Sequence, residues 1–79
     1  EIYSHLTFDN KYESISNFYP QGTIISSGLS KWCGAGGWRL GFFAIPKELK
    51  ELKNSLKILC SESFTSVSAP IQYAAVEAY

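Results

Sequence analysis

Ser26-Ser27-Gly28-Leu29-Ser30-Lys31-Trp32-Cys33-Gly34-Ala35-Gly36-Gly37-Trp38-Arg39-Leu40-Gly41 is the stretch that organises this chain. It grows out of Thr23-Ile24-Ile25-Ser26, a β-branched run that predicts a short buried strand. It leads into Leu40 to Ile45, apolar throughout and suited to a strand covered on both faces. Between them, Ser26 to Gly37 is rich in Ser and Gly, and so predicts a loop able to take unusual backbone angles or approach a ligand closely. Lys31 lies in that loop just past the first strand, and Arg39 follows eight residues later. A lysine amine attacks a carbonyl only when deprotonated, a state favoured by burial or a neighbouring cation. A guanidinium offers a planar fork that matches two phosphate oxygens. With glycines between them, the two side chains can face one molecule, and an aldehyde that also bears a phosphate would use both. Taken alone these residues leave alternatives open: a surface lysine, and an arginine paired with a carboxylate.

Upstream, residues 2–8 alternate loosely and predict a short strand, followed by a turn at Asp9-Asn10-Lys11. Residues 12–22 have no clean period, and Pro20-Gln21-Gly22 closes them as a connection. Downstream, Pro46 and Glu48 suit the first turn of a helix. Leu49, Leu52, Leu56 and Leu59 then form one apolar stripe, with Lys47, Lys50, Lys53 and Lys57 lying mostly off it as a solvated face. The polar segment Ser61 to Ser68 ends this helix too soon for a coiled coil. Ser66 or Ser68 can cap a second helix with Pro70 in its first turn and Ile71, Ala74, Ala75 and Ala78 on one face. The order strand, loop, strand, helix, helix describes an α/β piece with too few strands for a sheet of its own.

Composition narrows the function classes. Seven basic and seven acidic side chains give zero formal net charge, which argues against an electrostatic nucleic-acid binder. No apolar run is long enough to span a bilayer, so no membrane partner is expected. Cys33 and Cys60 are too few for a disulfide framework or a thiolate-rich zinc site, and the default expectation is a reduced, cytoplasmic protein without a structural metal. In only 79 residues the chain carries five Phe, five Tyr and two Trp, more than a short single core readily hides. Both ends read as cuts through structure, so residues 1–79 are expected to be one fragment of a larger domain.

Ser30-Lys31, followed after seven residues by Arg39-Leu40-Gly41, resembles the lysine signature of class I and II aminotransferases. In that family Ser-x-Ser-Lys precedes a variable Gly-containing loop and then Gly-x-Arg-x-Gly, which Gly37-Trp38-Arg39-Leu40-Gly41 matches in full. Glu1-Ile2-Tyr3 is similar to the tail of the family's Asp-Glu-x-Tyr segment, and Ser68-Ala69-Pro70-Ile71-Gln72-Tyr73-Ala74-Ala75 to the helix start beyond the lysine region. The pieces occur in the family's order across almost the whole chain.

The resemblance implies a fragment of the large, cofactor-binding domain of a fold type I transferase that uses pyridoxal 5'-phosphate. It implies that Lys31 forms the Schiff base with the cofactor and then moves the proton on the substrate carbon. By the same resemblance Arg39 grips the cofactor phosphate and Tyr3 hydrogen-bonds the phenolic oxygen of its ring. Many members place a phosphate-binding serine where this chain has Gly28, so Ser27 is the expected replacement, with Ser30 the other hydroxyl on offer. The family's carboxylate for the pyridine nitrogen falls one residue before Glu1. The implied parent is a homodimeric enzyme exchanging an amino group between an amino acid and a 2-oxo acid. A lyase or synthase of the same fold would carry a similar lysine segment, and a non-catalytic packing module is the alternative from another class. His5 and the two cysteines match no family role and are expected to pack or lie exposed.

Overall fold

The computed structural model describes residues 1–79. Its only sheet is one antiparallel pair, β1 (Ile25–Gly28) against β2 (Gly41–Ala44), with Ile25 opposite Ala44 and Gly28 opposite Gly41. The register brings two glycines together at the end of the ladder that opens into the Lys31 loop, and there Gly28 is needed. A Cβ at Gly28 would stand 2.6 Å from the Leu40 carbonyl oxygen and 3.1 Å from the Gly41 Cα. Real Cβ atoms do not approach backbone so closely, so a side chain at this position would force the strands apart.

Beyond β2, a single 3-10 turn (Lys47–Leu49) leads into α1 (Lys50–Ser63), and α2 (Ala69–Ala78) follows. Pro46, with φ −66° and extended ψ, stands just before that turn, where its missing N–H costs nothing. Ser68 caps α2 through its main chain: its carbonyl accepts from the Ile71 and Gln72 amides, and Pro70 lies in the first turn. The predicted small-residue face of α2 is the face that packs. Ala75 is buried, and Ile71 and Ala78 lean on the core.

That core is small. Leu29, 1 % exposed, Leu40 and Ala75 are its buried members, with Trp32, Ala35, Val67, Ile71 and Ala78 half-buried around them. Leu29 and Leu40 are the first residues beyond the paired strands, joined by the Leu29 N–H to Leu40 carbonyl bond of 3.4 Å. The core therefore sits beneath the loop that carries Lys31, not beneath α1. No residue of α1 is buried, and its stripe stands open, with Leu52 and Leu59 exposed. The radius of gyration is 14.1 Å, and the molecule is a slab of 42 × 31 × 18 Å. A compact chain of this length has a radius of gyration of about 12 Å.

Three strand expectations need correction. Residues 2–8 form no strand: the Ser4 amide donates to the Glu1 carbonyl and the Leu6 amide to the Tyr3 carbonyl, closing turns over Ile2 to His5. A strand needs a neighbouring ladder, and loose alternation supplies none. The first strand begins at Ile25, two residues later than the β-branched run suggests, and is only partly buried. The second strand is not covered on both faces, because all four of its residues are exposed. The turn at Asp9-Asn10-Lys11 is as expected, with Asn10 left-handed at φ 54° and the Asp9 carboxylate accepting from the Lys11 amide at 3.2 Å.

Candidate functional site

Lys31 and Arg39 belong to one connection, residues 29–40, that leaves β1 and returns as β2. The Gly28–Gly41 pairing therefore forces both to the same end of the ladder. The lysine turn is closed by backbone: the Gly34 amide donates to the Lys31 carbonyl at 3.4 Å and the Ala35 amide to the Leu29 carbonyl at 3.2 Å. Gly34, at φ 64°, supplies the left-handed residue that lets the chain reverse. Buried Leu29 anchors one side of this turn, and half-buried Trp32 the other. Lys31 between them is exposed.

Tyr3 comes to Lys31 from the far end of the sequence. The Lys31 Nζ lies 5.7 Å from the centroid of the Tyr3 ring, within cation–π range. The Glu1 main-chain nitrogen donates to the Ser26 carbonyl of β1, which seats the first residues alongside the strand. Glu1 is tied down on its other side by the Ser14 hydroxyl, which donates to its carboxylate at 2.5 Å, while Ser16 hydroxyl and amide both engage Ser14. The bond from Ser14 is the main reason that the Glu1 carboxyl ionises below its ordinary range, with a smaller contribution from Tyr12. The Tyr12 phenol is displaced upward, by loss of hydration and by facing Glu1.

Arg39 ends a 3-10 turn (Gly36–Trp38) in a left-handed conformation, φ 56° and ψ 38°. Such a backbone costs a non-glycine residue about 1–2 kcal/mol. Its guanidinium Nη1 donates to the Gly36 carbonyl at 2.8 Å, which braces the side chain across its own turn. Arg39 borders an open depression together with Trp38, Ser66 and Ser68. Ser27 is half-buried in the middle of β1, paired with Phe42. Of the four residues expected from sequence, Tyr3 and Lys31 meet directly. Arg39 shares the loop of Lys31, and Ser27 belongs to the strand feeding it.

The donor set suits a phosphorylated aromatic aldehyde: an amine for the aldehyde, a phenol for a ring oxygen, and a guanidinium with hydroxyls for the phosphate. No group of three or more His, Cys, Asp or Glu side chains could hold a metal ion. No helix is long and apolar enough to cross a membrane. Sequence reasoning assigned no functional role to Trp32 or His5, yet their rings meet beside the Lys31–Tyr3 pair. The one available signal was an indole placed directly after the lysine.

The family model for aminotransferase class I and II matches residues 1–79. The chain is 40% identical over 72 residues to a Bacillus subtilis protein named "Probable N-acetyl-LL-diaminopimelate aminotransferase", covering 87% of this chain and 18% of that protein. It is 36% identical to the aspartate aminotransferase of Geobacillus stearothermophilus, covering 100% of this chain and 20% of that protein. It is 33% identical to the aspartate/prephenate aminotransferase of Thermus thermophilus, covering 99% of this chain and 20% of that protein. The chain thus spans about a fifth of the length of the curated relatives it matches. No solved structure matches it.

Proposed function

The chain belongs to the aminotransferase class I and II family, and we propose that it is the cofactor-anchoring segment of an enzyme that moves an amino group between an amino acid and a 2-oxo acid. The observation that carries this reading is the Lys31 amine standing 5.7 Å over the Tyr3 ring, at the mouth of a loop whose other end is Arg39. Three similar proteins are named as aminotransferases. The parent enzyme is a longer polypeptide containing these residues and working as a homodimer.

Pyridoxal phosphate supplies, when bound, an aldehyde that condenses with amines and a ring that takes up the electron pair released from the substrate carbon. Lys31 Nζ would be the amine of this chain that holds the aldehyde. Once free, that amine would be a base held beside the substrate carbon, placed to take its proton. The Tyr3 hydroxyl would donate to the phenolic oxygen of the ring and favour it as an anion. Arg39 would hold the phosphate through the guanidinium nitrogens not engaged by the Gly36 carbonyl, with Ser27 as a hydroxyl partner. Held there, the phosphate would keep the ring in place against Lys31.

The test is sustained amino transfer by the parent enzyme with an amino acid and a 2-oxo acid. Lys31→Ala abolishes it, and Lys53→Ala, on the solvated face of α1, leaves it near wild type. Undiminished transfer in the Lys31 variant refutes the assignment.

A further inference from the structure

Two rungs join the segment carrying Tyr3 to the turn carrying Lys31. The first is the Lys31 amine over the Tyr3 ring, and the second is Trp32 against His5, with ring centroids 5.3 Å apart and planes at 41°. Lys31 and Trp32 are adjacent, and Tyr3 and His5 are two residues apart, so the second rung lies beside the first. Trp32 also reaches beyond this pair. Its indole N–H donates to the Gly28 carbonyl at 3.0 Å and lies 3.3 Å from the Tyr79 hydroxyl oxygen. Its ring meets the edge of Tyr79 at 5.2 Å, and Tyr79 meets Phe42 of β2 at the same separation.

Resting on the functional reading above, we infer that Trp32 is a positioning residue for Lys31, clamping the lysine turn to β1 through Gly28 and to the Tyr3 segment through His5. The exposed lysine stem is a flexible chain of four carbons, so the place of its amine is set by the backbone at its base. The fixed points around that base are Leu29 in the core and Trp32. Leu29 holds the entry to the turn. Trp32 holds the exit, and of the two it is the one that touches the segment bringing the phenol. Loss of the indole N–H frees the Gly28 carbonyl end of the turn, and loss of the ring also separates the turn from His5. An amine displaced from its partner by even about 1 Å is a poorer nucleophile and base in place, because positioning supplies much of its reactivity.

The apo parent protein, mixed with pyridoxal phosphate, tests this by the visible absorbance of the lysine-bound cofactor, followed over time and across pH. Trp32→Phe retains a ring for His5 and Tyr79 but lacks the N–H, and Trp32→Ala lacks both. Uptake onto Lys31 is expected to slow by up to roughly tenfold in the Phe variant, the worth of one hydrogen bond, and further in the Ala variant. The pH midpoint of the absorbance shifts in both, while the thermal midpoint of the Phe variant stays within about 2–4 °C of wild type. His5→Ala moves the same readouts in the same direction by less. Wild-type uptake and an unchanged midpoint in the Phe variant overturn the inference, as does a loss in both variants that merely tracks the unfolded fraction. Uptake by the wild type that survives Lys31→Ala overturns the functional reading itself. A wild type that passes that control leaves the Trp32 variants to judge the clamp alone.

Discussion

Produced by itself, the 79-residue chain should not fold cooperatively, and the magnitude follows from its surface. The structure exposes 6298 Å² at a mass of 8.8 kDa. A compact monomer of that mass exposes about 4,800 Å², so about 1,500 Å² more is open to water than a self-sufficient domain would leave. If somewhat over half of that excess is apolar, at ~25 cal/mol per Å² it represents about 20 kcal/mol of forgone hydrophobic stabilisation. The net stability of a whole domain is only ~5–15 kcal/mol. The exposed groups are large: Phe8, Phe18, Phe43, Ile58, Leu59 and Tyr73 among them. The assay is urea unfolding followed by circular dichroism, with sedimentation to report self-association. Non-cooperative loss of signal or association is the expected result, together with no amino transfer above the free-cofactor background. A monomer with a sharp transition and a denaturant slope near that of a complete domain of 79 residues would show instead that the chain folds on its own. Steady transamination that Lys31→Ala abolishes would refute the catalytic part.

Single substitutions in the parent enzyme have distinct expected outcomes. Arg39→Lys retains charge but loses the fork, so cofactor affinity falls by roughly one to two decades, read by equilibrium titration of apo protein. Arg39→Gly relieves the left-handed backbone and leaves apo stability level or up to ~1 kcal/mol higher while weakening retention, so cofactor binding falls with no loss in the thermal melt. Gly28→Ala presses a methyl onto the Leu40 carbonyl and costs about 1–3 kcal/mol in chemical denaturation. Ser14→Ala raises the Glu1 carboxyl toward its ordinary range, visible in an NMR pH titration. Because the folded-state value is the lowered one, the Ser14 tether contributes above the ordinary carboxylate range and is lost as pH falls through the lowered value. Tyr12 runs the other way: its contribution is full below its ordinary value and lost as pH rises through the raised one.

What the sequence made legible was what local chemistry decides. Pro46 and Pro70 marked the helix starts, the small-residue face of α2 identified the side that packs, and the Lys31–Arg39 spacing placed both in one connection. What it could not supply was pairing. Residues 2–8 alternate like a strand yet find no ladder, and Leu40 to Ile45 reads as doubly covered although β2 has β1 on one edge and little over its faces. An apolar run states that a segment is to be covered, not by what. The left-handed backbone at Arg39 was illegible for a related reason, since nothing in an arginine announces a positive φ. Tyr3 was assigned only through a family likeness, and its place over the Lys31 amine depends on long-range seating of Glu1 on β1. The Trp32–His5 contact has no local signature either, as its two halves lie 27 positions apart in the chain.

Under the proposed function, Lys31 is the residue that carries the cofactor. Borohydride reduction of the parent holoenzyme fixes the cofactor to whichever lysine holds it, and digestion with mass mapping identifies that residue. One modified peptide is expected, bearing the adduct at Lys31. An adduct at Lys11, Lys47, Lys50 or any other lysine, with Lys31 unmodified, would contradict it.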